Sequence, residues 1–310
     1  MKHWIGTALR QYGIFLGLIG VVIVLSACEP RFLAVENLTN ILRQTSVIGI
    51  MAVGMTFVIL TAGIDLSVGS ILALTGVVCA SLEHRGWPVV AVVAATLALG
   101  ALIGTLNGIV TTVGRVTPFV VTLGTMSIAR GLSHIYTGGQ PISRFGAAFR
   151  YLGTGEFLGV PVPILIFALT VLLAAAVLRH TVLGRYLYAI GGNEEAALLS
   201  GISVTVYKTL AYTICGLTAA LGAVVLTSRL DAGESIAGIG YELDVIAAVV
   251  IGGTSLLGGR GGVWGTLIGA LLIGTINNGM NLLMISSYYQ LVVKGVIIVV
   301  AVLLDRLRGD

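Results

Sequence analysis

The chain has 310 residues, 57% of them hydrophobic and only 10% charged, with a formal net charge of +4. A soluble domain carries about 25% charged residues, so a chain this poor in charge cannot cover a water-facing surface and needs lipid as its solvent. The 17 basic residues form no run of like charge, which argues against a nucleic-acid partner. Cys28, Cys79 and Cys215 lie far apart in or beside apolar runs; they suit neither a disulfide framework nor a zinc site and read as small hydrophobes.

Lys2, His3 and Arg10 precede the first apolar run, 12–28. Leu25-Ser26-Ala27-Cys28 resembles a lipoprotein processing box, but the run is long enough for an uncleaved first span. Nine further runs follow at about 44–62, 66–82, 88–112, 117–136, 160–178, 205–228, 243–257, 263–284 and 288–304. Backbone groups in lipid must be bonded internally, so these read as helices. The expectation is an all-α integral membrane protein of about ten transmembrane helices, one domain over residues 1–310. The runs at 66–82 and 243–257 are short and interrupted by glycine, as broken or shielded helices are.

Ten spans put both termini on one face. That face collects Lys2, Arg10, Arg115, Arg179, Arg185, Lys208, Arg260, Arg306 and Arg308, and the other Arg31, Arg43, Arg85, Arg144, Arg150 and Arg229. The bias favours cytoplasmic termini. The longest connections are at about 137–159 and 179–204. The first carries Gly138-Gly139 and Pro141, which predicts irregular structure. The second contains Asn193-Glu194-Glu195-Ala196-Ala197-Leu198-Leu199-Ser200-Gly201. Asn193 is a good N-cap, the two glutamates suit the first turn, and Gly201 is a good stop. A helix of about two turns is marginal alone in water, so it must pack against the membrane domain or a partner; a plain connector is the alternative.

Gly63-Ile64-Asp65-Leu66-Ser67-Val68 opens the third span and Gly240-Tyr241-Glu242-Leu243-Asp244-Val245 the eighth. Gly104-Thr105-Leu106-Asn107 in the fourth span is matched by Gly274-Thr275-Ile276-Asn277 in the ninth. The offset is five spans both times. An odd offset inverts the second copy, so spans 2–5 and 7–10 form an inverted-topology repeat, a device of transporters.

Seven glycines between Gly252 and Gly265 read as a tight turn. No Gly-Lys-Ser/Thr phosphate loop exists, so the chain has no Walker nucleotide site. Asp65, Glu242 and Asp244, at the predicted span ends, are structural or gating candidates or plain helix caps. Arg130 and Lys294 read as snorkelling side chains. His3, His84, His134 and His180 are scattered, with no metal set, and no nucleophile sits near a base; the chain reads as a transport protein rather than an enzyme. Asn107, Thr275, Asn277, Asn278 and Asn281 are candidates to line a path for a neutral hydroxylated solute, or to hydrogen-bond neighbouring helices.

Met51-Ala52-Val53-Gly54-Met55-Thr56, the Gly63–Ser70 segment, Gly191-Gly192-Asn193-Glu194, Gly240-Tyr241-Glu242-Leu243 and Gly252-Gly253-Thr254-Ser255 resemble the permease family of bacterial ribose-type sugar ABC importers. Asn277-Asn278-Gly279 and Ser286-Ser287-Tyr288-Tyr289-Gln290 are similar to its ribose-transporting members. The resemblance runs from about Asn37 to Leu304. It implies a type II ABC importer permease fold in the bacterial inner membrane, translocating a monosaccharide, most closely ribose. It implies a second permease subunit as a homodimer, a cytoplasmic ATPase carrying ATP and Mg, and a periplasmic sugar-binding protein, with no cofactor on this chain. It assigns the 193–201 helix, through Asn193, Glu194, Glu195, Ala196, Leu199, Ser200 and Gly201, to docking on the ATPase. The rival is an ion-coupled secondary sugar transporter, which needs an ionisable residue at mid-membrane depth.

Overall fold

A computed structural model describes residues 2–309, with side chains for 13–300 and 303. Lys2, Arg10, Arg306 and Arg308, counted above on one face, and His3 have side chains outside the described residues. The helices in chain order are α1 (Lys2–Cys28), α2 (Val35–Leu60), α3 (Val68–His84), α4 (Val89–Thr112), α5 (Pro118–Thr137), α6 (Ala147–Thr154), α7 (Val162–His180), α8 (Val182–Gly192), α9 (Glu194–Leu199), α10 (Val204–Leu230), α11 (Tyr241–Ile251), α12 (Val263–Leu282) and α13 (Ser287–Gly309). Every expected span has its helix. Among the described residues α2, α4, α7, α10 and α12 are long and apolar enough to cross a membrane by themselves, and shorter apolar helices lie at 13–28, 68–84 and 287–300.

Burial sorts centre from rim. The apolar windows of α2 and α10 are 83% and 67% buried, those of α4 and α7 only 22% and 28%. α2 and α10 therefore form the core pair, packed against each other, and α4 and α7 turn leucines and valines outward, as lipid-facing helices do. The packing repeats across the two halves. α10 holds α4 and α3 as α2 holds α12 and α11; α3 holds α4 and α5 as α11 holds α12 and α13. α7 is the one long apolar helix between the halves among the described residues, so the second half enters from the opposite face. Glycine permits a close crossing of α4 and α10: a Cβ on Gly100 of α4 would collide with the Gly216 carbonyl of α10, and one on Gly216 with the Gly100 carbonyl.

Three segments differ from the sequence reading. α2 begins at Val35, nine residues before the expected 44, because neighbours satisfy its polar first turns. Asn37 Nδ2 donates to the Phe32 carbonyl at 2.8 Å, and Arg43 pairs with Glu156 at 2.7 Å. The 137–159 connection, expected to be irregular, contains α6. Phe149 is fully buried there, edge-on to Phe145 at 5.3 Å, and its carbonyl accepts the Ser228 hydroxyl. Two short antiparallel pairs flank it, Ile142–Ser143 with Ala232–Gly233 and Glu156–Phe157 with Val160–Pro161. The glycine-rich 252–262 segment does more than turn. Gly253, Gly258, Gly259 and Gly261 have positive φ, and the Gly259 amide donates to the last α2 carbonyl, Leu60, at 3.0 Å.

The link from α10 to α11 turns inward. After Asp231 the chain runs back along α3: a Cβ on Gly233 would strike Ala80, and Gly238 lies against Gly69 and Leu72. Arg130 of α5 holds this segment, donating to the Ser235 and Ala237 carbonyls at 2.7 Å each, instead of snorkelling. α11 therefore starts beside the first turn of α3, inside the bundle. With 11 residues it is about 16 Å long, half of the roughly 30 Å hydrocarbon core.

Candidate functional site

Two places bring the sequence candidates together. The first is α9, six residues long and shorter than the two turns expected. Asn193, in extended conformation, accepts the Ala196 amide on Oδ1 at 2.9 Å, as an N-cap does. Gly201, at φ +83°, stops the helix, with the Ile202 amide bonded to the Ala197 carbonyl. Glu194 pairs with Lys208 of α10 at 2.8 Å, and the Ser200 hydroxyl donates to Ala196. Of its side chains only Ala197 is buried, in a small cluster with Ile190 and Val204. Glu195 is exposed, and Leu198 and Leu199 are 62% and 83% exposed. An adjacent leucine pair beyond the acidic first turn is an unpartnered apolar edge. α8 supports it, with Leu187 and Ile190 buried and the Tyr188 hydroxyl donating to the Gly261 carbonyl at 2.9 Å. Burial pushes that hydroxyl above the ordinary tyrosine range, so it stays protonated and able to donate.

The second place is the pair of polar clusters where α3 and α11 start. Asp65 is fully buried and Asp244 nearly so. They sit at helix starts, as expected, but those starts lie inside the protein and not at its faces. The broken chain at 61–67 and the returning 231–240 segment carry them inward, and both helix N-termini are left facing neighbouring helices. Asp65 Oδ1 accepts the Ser67 amide at 2.9 Å and the Ser67 hydroxyl, which fixes the turn just before α3. Asn107 donates to Ser67 Oγ at 3.0 Å, and Thr125 of α5 donates to Asn107 Oδ1 at 2.6 Å. In the other half Asp244 Oδ2 accepts Lys294 Nζ of α13 at 2.8 Å and Asn277 Nδ2 of α12 at 3.4 Å. Lys294 is thus ion-paired instead of snorkelling. Glu242 covers the start of α3: its Oε2 would lie 2.6 Å from a Cβ on Gly69.

The clusters occupy equivalent positions. Ser67 matches Asp244 and Asn107 matches Asn277 in the two repeated motifs. Thr125 and Lys294 both stand seven residues after the first residue of their helix, Pro118 and Ser287. Sequence reasoning missed Thr125 and the partner of Lys294; the repeat already spanned both helices, but their equivalence shows only from the helix starts that the structure sets.

The remaining path candidates are spread out. Asn278 and Asn37 exchange amide hydrogen bonds at 3.0 and 3.1 Å, joining α12 to α2. Thr275 is buried, and Asn281 is exposed and accepts from Gln290 at 2.9 Å. Asn107 and Asn278 spend their amides on neighbouring helices, as intramembrane polar side chains do when they join helices. No group of three or more metal-ligating residues occurs among the described residues.

Residues 37–302 match the family model described as Branched-chain amino acid transport system / permease component. The chain is 51% identical to the ribose import permease protein RbsC of Escherichia coli (strain K12), over 98% of this chain and 95% of that protein. It is 49% identical to that of Haemophilus influenzae over 98% and 96%, and 52% identical to that of Bacillus subtilis (strain 168) over 97% and 94%. No solved structure matches it.

Proposed function

The chain belongs to the permease family described as Branched-chain amino acid transport system / permease component, and on that premise we propose that it is the membrane subunit of an ATP-driven ABC importer that passes ribose across the bacterial inner membrane. The observation that carries the substrate is the identity near one half, over almost the whole chain, with ribose import permeases. The chain has no phosphate loop, so ATP and Mg belong to a cytoplasmic ATPase partner. α9 suits that partner because it is capped, held by one buried alanine and one ion pair, and exposes Leu198 and Leu199. Two copies form the importer, both termini face the cytoplasm, and a periplasmic binding protein delivers the sugar to the opposite face. Residues 1–310 act as a single permease domain.

Within it Asn281 is exposed and meets the sugar. Asn107, Thr275, Asn277 and Asn278 reach the path when their helices part. Asp65, Glu242 and Asp244 gate it, because each sits where a broken helix starts inside the bundle. A partner shifts such a gate only by binding its two states with different affinity, so α9 must contact the ATPase differently in each.

Proteoliposomes test this reading. With the ATPase, ATP and the binding protein, labelled ribose should accumulate and labelled leucine should not. Leucine uptake would overturn the substrate, and ribose uptake by this chain alone, driven by an ion gradient, would overturn the ATP-driven mechanism. Glu194→Lys should leave ATP hydrolysis running while uptake falls at least tenfold. Lys208→Ala removes the same ion pair without reversing the charge on α9 and should transport better than Glu194→Lys. Normal coupling in Glu194→Lys would sink the assignment of α9.

A further inference from the structure

A cavity of about 590 Å³ opens where the end of α7, the side of α8 and the start of α12 meet. Its wall changes character along α7. Leu172 and Ala176 form an apolar side that continues the exposed leucines Leu165, Leu169 and Leu173 of the same helix, while Arg179 and His180 in the last turn form a polar floor that carries the Arg179 charge. Arg179 makes no ion pair among the described residues, and no acidic residue lines the cavity. On the opposite side stands the first turn of α12, which has no side-chain cap and begins after Gly262. Its free amides and positive dipole end favour an anion. Trp264, 56% exposed, places an indole at the rim, where amphipathic rings collect at membrane interfaces.

An apolar channel running up a lipid-facing helix, with a basic floor at the helix end, matches one ligand chemistry: a phosphate attached to acyl chains. A soluble anion leaves the Leu172 and Ala176 wall unused. A neutral lipid leaves Arg179 uncompensated. We infer that this cavity holds the headgroup of an anionic phospholipid, with its chains along α7. The lipid would come from the leaflet on the α9 side, which is the cytoplasmic one on the orientation proposed above. Tyr188 lines the same cavity and bonds Gly261, so a bound headgroup would brace α8 and, through it, α9.

Trp264 is a built-in reporter. In the full-length chain with Trp4→Phe and Trp87→Phe, its emission is measured in vesicles that carry brominated phosphatidylglycerol or brominated phosphatidylcholine in both leaflets. The phosphatidylglycerol should associate about fivefold more strongly, the preference conferred by roughly one basic residue at an anionic surface. Arg179→Gln with His180→Gln should bring the ratio to about one, and Arg179→Lys should keep it. Free glycerol phosphate at millimolar concentration should leave the quenching unchanged. Equal quenching by the two lipids, an undiminished preference in the double glutamine variant, or reversal by free glycerol phosphate would each overturn the proposal. The assay needs neither transport nor a known orientation, so its failure is distinct from failure of the importer reading.

Discussion

The two halves of this protein place polar clusters at equivalent positions and fill them with different chemistry. In the first half Thr125, Asn107 and Ser67 pass hydrogen bonds in sequence to Asp65. In the second half Lys294 and Asn277 converge on the single carboxylate of Asp244. α5 is therefore tied to α4 by a neutral bond, and α13 is tied to α11 by an ion pair. A neutral bond between helices in a membrane contributes about 0.6 kcal/mol on average, and either partner can be left behind cheaply. A charge left unpaired in the membrane costs several times more. The repeat has kept the positions at which helices are joined and not the strength of the joint. At these clusters Thr125 can part from Asn107 at low cost, whereas Lys294 must stay paired or meet water; what holds α5 more firmly is Arg130, on the Ser235 and Ala237 carbonyls.

Removing the charge should break the comparison most sharply. Lys294→Met leaves the Asp244 carboxylate buried without its counter-charge and should cost about 3–5 kcal/mol, read as a fall in the melting temperature of the purified protein in detergent. Adding Asp244→Asn should restore most of that loss. A double variant as unstable as Lys294→Met would show that packing, not charge, joins α13 to α11.

The repeated glycines give a smaller effect. A Cβ on Gly104 would collide with the Tyr212 carbonyl of α10, which is backbone, and one on Gly274 would collide with the Thr45 hydroxyl of α2. Threonine can rotate and a helix backbone cannot, so Gly104→Ala should cost about 1–3 kcal/mol and Gly274→Ala clearly less. The same melting assay reads both, and equal losses would refute the distinction.

The neutral joint comes next. Thr125→Val removes the donor to Asn107 Oδ1 and should cost about 0.6 kcal/mol. Asn277→Ala should cost least in hydrogen bonding, because its bond to Asp244 is long at 3.4 Å and Lys294 still satisfies the carboxylate. If Asn277→Ala lost more than Thr125→Val, the second cluster would depend on its amide and not on its ion pair.

Much of this was legible in the chain. The spans were readable because lipid excludes charge, so the apolar runs had to be long and few other assignments were possible. The cap and stop of α9 were readable because Asn193 and Gly201 act through backbone atoms a few residues away. The inverted repeat was readable from Gly63–Val68 against Gly240–Val245. What stayed hidden involved distant partners. Lys294 lies 50 residues from Asp244, and one cation in an apolar run is compatible with snorkelling until its counter-charge is located. The first turns of α2 looked too polar for a span because Glu156 and Asn278, their partners, are far along the chain.

The amino-acid sequence alone determined the solvent, the apolar spans, the repeat and the cap and stop of α9, since each depends on hydropathy or on contacts within a few residues. Tertiary structure decided where the acids sit. Asp65, Glu242 and Asp244 stand at helix starts in the sequence, but close glycine contacts such as Gly238 against Gly69 let the connecting chain turn inward. Whether a helix start faces water or protein depends on what packs beside it, and no local pattern encodes that.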